Sequence, residues 1–94
     1  MNVEQIIKEK KGTIVDVRTQ GEYAGGHVAG SINIPLQEIS DKVEELKKLQ
    51  APLVLCCASG NRSAQAQGHL AQLGIECCNG GAWYDVEFFQ SQTA

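Results

Sequence analysis

The 94-residue sequence lacks an apolar run of membrane-spanning length, has few aromatic residues and has no C-x-x-C pair. Between Leu49 and Ile75 it also lacks any carboxylate. A transmembrane helix needs ~20 consecutive apolar residues, so a membrane span is excluded. The amino terminus, Asn2 to Lys11, is charged and amphipathic, unlike a secretory signal. The expected location is therefore the cytoplasm, or the periplasm if a leader has been removed. A formal charge of −3 argues against nucleic acid or an anionic membrane surface as the partner.

The four cysteines form two adjacent pairs, Cys56-Cys57 and Cys77-Cys78. Neighbours on a strand point to opposite faces, so neither pair suits one metal ion, and no metal or cofactor is expected. Three of the four sit in apolar runs that read as buried strands. A reducing compartment fits this better than a disulfide framework.

What is present alternates between helical and strand patterns. The length suits one domain over residues 1–94, with a core from about residue 3 to 89 and a frayed polar tail at 90–94. Val3, Ile6 and Ile7 form one helical face, with Asn2 as cap and Gly12 as stop. Thr13 to Val17 reads as a strand. Thr19 and Glu22 have capping-box spacing for a short helix to Ala24. Ser31 to Ile34 is a second strand, closed by Pro35. Asp41 and Glu44 offer another capping box, for a helix presenting Ile39, Val43 and Leu46.

The run Leu53 to Cys56 is unbroken apolar sequence, as expected for a parallel strand covered on both faces. Ala66, Leu70 and Leu73 predict the inward stripe of the next helix, with Gly74 as its stop. A last strand, Ile75 to Cys78, leads through Asn79-Gly80-Gly81 to a short turn or helix carrying Trp83, Tyr84, Phe88 and Phe89. This alternation predicts an α/β fold: an open parallel sheet of four to five strands with helices on both faces. In such sheets ligands sit outside the carboxyl ends of the strands.

Cys57-Ala58-Ser59-Gly60-Asn61-Arg62-Ser63 lies at such an end. A cysteine after a buried strand, a loop of small residues and then a helix together build a cup of inward N–H groups that suits anions. Those amides, the helix's positive end and Arg62 are expected to lower the Cys57 pKa from ~8.5 and make the sulfur nucleophilic near neutral pH. Arg62 is the one permanent charge between Leu49 and Ile75, which assigns it to the loop. Gly60 is expected to take positive φ, and Ser63 to cap the helix. Cys56 should face the opposite way and be inert. If the last strand neighbours the one ending at Cys57, Cys78 is a candidate at the same rim, although a core position is the favoured reading.

Asp16-Val17-Arg18, Glu22-Tyr23, Gly26-His27-Val28-Ala29-Gly30-Ser31, Asn33-Ile34-Pro35, the Cys57–Ser63 loop and Gly80-Gly81-Ala82-Trp83 stand in an order that resembles the rhodanese (sulfurtransferase) domain. The resemblance covers Ile14 to Trp83. It implies a rhodanese-like fold in which Cys57 takes a sulfane sulfur from thiosulfate or a related small anionic donor. Cys57 would hold that sulfur as a persulfide and pass it to cyanide or a thiol, with residues 58–63 as the substrate-binding loop. A sulfur-relay protein is a further candidate partner, and a monomer is expected. Asp16, Arg18 and Glu22 are read as a structural ion and capping network. His27 and Trp83 are read as architectural.

Two departures from the family pattern stand out. The sequence opens on the first helix, so the extra leading strand of many rhodanese domains is not expected. Residue 58 is alanine where several thiosulfate-using relatives carry a basic side chain, which widens the donor class to polysulfide, glutathione persulfide or a protein persulfide. Alternatives are a persulfide carrier acting with a protein partner, a catalytically idle scaffold, and a phosphatase or arsenate reductase. The last two enzymes resemble C-x5-R, whereas Cys57 to Arg62 is C-x4-R.

Overall fold

A computed structural model describes residues 2–92. The chain runs through α1 (Val3–Lys8), β1 (Thr13–Asp16), α2 (Gln20–Ala24), β2 (Ile32–Asn33), a 3-10 segment (Leu36–Lys42), α3 (Val43–Lys47), β3 (Leu53–Cys57), α4 (Asn61–Gln72), β4 (Cys77–Ala82) and α5 (Trp83–Ser91). The four strands form one sheet in the order β2-β1-β3-β4, every neighbouring pair parallel. No fifth strand occurs among the described residues.

The sheet separates two cores because side chains alternate along β3. Leu53, Leu55 and Cys57 face one way and pack with Ile39, Leu46, Ala66 and Leu70 from the 3-10 segment, α3 and α4. Val54 and Cys56 face the other way and meet Ile7 of α1 and Val86 of α5. All five β3 residues are buried, as their unbroken apolar run requires.

Local caps explain two of the helix starts. The Asn2 side chain accepts from the Gln5 N–H at the start of α1. At α2 the Thr19 hydroxyl accepts from the Glu22 N–H while the Glu22 carboxylate accepts from the Thr19 N–H, a reciprocal box. The box expected at Asp41 and Glu44 does not form. The chain there is 3-10 through Lys42, and α3 starts without a side-chain cap.

Three other expectations are corrected. Leu73 lies past the end of α4, 44% exposed, so the inward stripe of that helix is Ala66 and Leu70. The last strand runs Cys77–Ala82 rather than Ile75–Cys78, because Asn79-Gly80-Gly81 belongs to it. Its pairing with β3 jumps from Leu55–Asn79 to Cys56–Gly81, leaving Gly80 as the extra residue of a bulge. A Cβ at Gly80 would lie 2.9 Å from both Val54 Cγ1 and Val86 Cγ2, so only glycine fits. Finally, α5 continues to Ser91, so residues 90 and 91 of the expected frayed tail are helical, while 93 and 94 lie outside the described residues.

The chain passes from β1 outward to β2 and then back across to β3, so the sheet order reverses between β1 and β3. Crevices at such reversals, beyond the carboxyl ends of the strands, are where open α/β sheets bind ligands. Here that crevice is bordered by Asp16 and Cys57, the last residues of their strands.

Candidate active site

Cys57 ends β3, and the chain turns over its sulfur at once. The Gly60 N–H donates to Cys57 Sγ at 3.0 Å. Gly60 occupies the N-cap of α4 with φ 96°, a left-handed conformation that costs other residues ~1–2 kcal/mol. That turn aims the amide inward. Asn61, Arg62 and Ser63 are therefore the first turn of α4 rather than loop residues. Ser63 does not cap the helix. It is fully buried, with its hydroxyl 3.5 Å from Cys57 Sγ.

Burial alone would push the Cys57 thiol up. The Ser63 hydroxyl and the N–H groups of Ser63, Ser59 and Gly60 outweigh it and bring the thiol down to about 7. Next to it, Cys56 has the burial without the amides, and is pushed up to about 12. The two adjacent cysteines thus differ through the face of the strand each occupies. Cys57 is buried, and the two residues that follow it, Ala58 and Ser59, are exposed.

Arg62 has a partner that its isolation in the sequence does not show. Its two terminal nitrogens donate to the two carboxylate oxygens of Glu22, at 2.8 and 2.9 Å. Glu22 above all, and the charge of the Cys57 thiolate after it, raise the Arg62 pKa, so Arg62 in turn favours that thiolate. Glu22, held by Arg62 first and by the Thr19 N–H second, sits at about 2, below the usual carboxylate range. The pair ties α4 to α2 and consumes the guanidinium fork.

Asp16 and Arg18 form a closed buried pair behind the site. Arg18 donates from its backbone N–H and from Nε to Asp16 Oδ1, each at 3.0 Å, and from Nη2 to Asp16 Oδ2 at 2.7 Å. Nη2 also reaches the Gly26 carbonyl at 2.7 Å. The Trp83 ring lies over the guanidinium, 4.8 Å from its carbon, and packs on Gly26. Trp83 thus closes over Arg18, an architectural role. His27 stacks on Tyr23 with ring centroids 3.9 Å apart, and its Nδ1 lies 2.8 Å from the Tyr23 carbonyl, so Nδ1 carries the proton.

Cys78 is not at the rim. It pairs with Val54, three residues before Cys57, and packs in the opposite core with its thiol raised by burial. The residue that reaches the site from β4 is Asn79, which the sequence pattern set just after the last strand and gave no role. Its Nδ2 donates to the Gly60 carbonyl at 3.0 Å, and its Oδ1 accepts from Ser63 Oγ at 2.7 Å and from the Gly81 N–H at 2.9 Å. The available signal was Asn-Gly-Gly directly after an apolar run, the composition of a bulge as much as of a turn.

Residues 2–83 match the Rhodanese-like domain. The chain belongs to that family. This rhodanese-like domain is 33% identical over 71 residues to the thiosulfate sulfurtransferase GlpE of Pseudomonas fluorescens, covering 76% of this chain and 64% of that protein. The chain thus spans just under two thirds of that relative's length. Among solved structures, a rhodanese-related protein from Thermoplasma volcanium superposes with a TM-score of 0.78 at 30% identity, covering 100% of this chain and 93% of that one. The human single-domain sulfurtransferase shares the fold, with a TM-score of 0.72 at 24% identity over 97% of this chain and 92% of the other. No helix among the described residues is long and apolar enough to cross a membrane.

Proposed function

We propose that this rhodanese-like domain is a sulfurtransferase in which Cys57 carries the sulfur. The observation that carries the reading is the inward Gly60 N–H on a thiol lowered to about 7, at the carboxyl end of a buried strand. A thiolate is the form that attacks a sulfane sulfur, and near pH 7 about half of this thiol is ionised. Cys57 Sγ bonds to the outer sulfur of the donor, the bond to the leaving group breaks, and the electron pair departs with sulfite or a thiolate. The resulting persulfide is then attacked at its outer sulfur by cyanide or a thiol, which returns the pair to Cys57.

The charge around the cup bears on the donor. Arg62 is spent on Glu22 and Arg18 on Asp16, and residues 58–61 carry no charge. A dianion such as thiosulfate gains less from such a site than it would from an unpaired arginine. That favours, as a second reading, a persulfide carrier that receives sulfur from a thiol-borne donor and relays it to a protein partner.

Intact mass after incubation with thiosulfate or with glutathione persulfide, for wild type and Cys57→Ser, tests both. One added sulfur that requires Cys57 and leaves as thiocyanate on cyanide addition supports the enzyme. An adduct that forms from the thiol-borne donor and is not passed to small acceptors supports the carrier. Phosphate-ester hydrolysis dependent on Cys57 would overturn sulfur transfer.

A further inference from the structure

The Asn79 carboxamide joins the bulge of β4, the Gly60 turn and the first turn of α4. Its orientation follows from its partners. A backbone N–H can only donate, so Oδ1 must face Gly81; a carbonyl can only accept, so Nδ2 must face Gly60. Ser63 Oγ therefore meets an acceptor, and must donate to it. A hydroxyl has one proton. With that proton on Asn79, Ser63 offers only lone pairs to Cys57 Sγ at 3.5 Å. Lone pairs suit the S–H of a thiol and repel a thiolate.

The opposite arrangement needs no heavy atom to move. Rotation about the Ser63 Cβ–Oγ bond turns the proton from Asn79 Oδ1 to Sγ, and Oδ1 keeps the Gly81 N–H. We propose that Asn79 is a positioning residue for sulfur transfer, which holds the Ser63 proton while Cys57 is neutral and releases it to the sulfur when Cys57 is a thiolate. The inference rests on the reading of Cys57 as the sulfur carrier. In that cycle Sγ is anionic before attack on the donor, neutral as the inner sulfur of the persulfide, and anionic again as the leaving group when the acceptor takes the outer sulfur. The hydroxyl follows those changes of charge.

Charged groups around Cys57 do not mimic this. Asp16 with Arg18 from the β1 side and Glu22 with Arg62 from α2 and α4 are closed pairs. Asp85 in the first turn of α5, and Glu38 and Asp41 of the 3-10 segment, are exposed or half-exposed. The neighbouring Cys56 is neutral below about 12.

The test is a double-mutant cycle read as the ionisation of Cys57, from the pH dependence of its iodoacetamide alkylation resolved by peptide mass. Ser63→Ala is expected to raise the thiol pKa by about one unit, the worth of a hydrogen bond to a charged atom. Asn79→Ala removes the competitor for the proton. Its loss at Gly60 and Gly81 shifts the pKa in both backgrounds, but the downward contribution through the hydroxyl exists only where Ser63 is present. The shift caused by Asn79→Ala is therefore expected to lie about one unit lower with Ser63 in place than in the Ser63→Ala background. Equal shifts in the two backgrounds overturn the proposal.

If Asn79→Ala does not fold, Asn79→Asp is measured in the same two backgrounds. Its carboxylate binds the hydroxyl more tightly and is expected to raise the pKa more with Ser63 present. Equal rises overturn the proposal. Sulfur loading of wild type by intact mass separates this inference from its premise. Loading with an additive cycle removes Asn79 alone, whereas no loading from any donor removes the sulfur-carrier reading.

Discussion

The Arg62 guanidinium lies 2.8 and 2.9 Å from the two carboxylate oxygens of Glu22, forty positions earlier in the chain. Arg62 sits two residues beyond Gly60, and the pair offsets the charge that an anionic donor would seek. Glu22→Gln keeps the reach to the Thr19 N–H, since glutamine also serves a capping box, and frees the arginine. The expected outcome is a several-fold lower KM for thiosulfate, with KM for a thiol-borne persulfide unchanged. Steady-state kinetics with the two donors check it.

Cys57 should react with iodoacetamide at a rate that climbs as pH rises through about 7, then levels off. A depressed folded-state value also stabilises the fold: the contribution is complete above the ordinary thiol value of ~8.5 and is lost as pH falls through about 7. Cys56, pushed up to about 12, should stay unmodified throughout. Peptide-resolved alkylation between pH 5 and pH 10 distinguishes the two thiols.

Asp16→Ala would leave the Arg18 guanidinium buried without its carboxylate. Breaking a buried pair in this way costs about 3–5 kcal/mol, so the variant should unfold at much lower urea or fail to accumulate. Urea titration followed by Trp83 fluorescence is direct, because that ring lies on Arg18.

Gly80→Ala drives a methyl group to within 2.9 Å of Val54 Cγ1 and Val86 Cγ2. Overpacking of this kind costs about 1–3 kcal/mol. The melting temperature should fall, and restoration by Val86→Ala in the same chain would locate the clash.

Cys78→Ser should leave sulfur loading of Cys57 intact, since Cys78 packs in the core on the far side of the sheet. Some stability is lost through burial of a hydroxyl, about 1–3 kcal/mol. Intact mass after donor treatment measures the first and thermal melting the second.

Much of this was readable along the chain because it is local. The Thr19–Glu22 box spans one helical turn, and Cys57 is placed by five consecutive apolar residues and a glycine three positions on. The errors share another cause. Arg62 looked unpaired because its partner is forty residues away, and distance in sequence hides proximity created by strand order. Asn79-Gly80-Gly81 looked like the end of a strand because glycine breaks strands unless a bulge and a close neighbour require it. Asp41 and Glu44 have capping spacing, but Ile39 and Leu46 are buried from a 3-10 segment and a short helix in succession, and tertiary packing overrode the local motif. Asn79 is the product of the bulge, so it could be recognised only once the bulge was.

The flanks of the sheet have a bearing on behaviour in crowded solution. One border strand is two residues long and is followed closely by Pro35, and the other is kinked by its extra glycine. Neither offers the straight row of free amides and carbonyls on which chains stack into fibrils. Both borders of this open-sided sheet are therefore poor templates for strand addition.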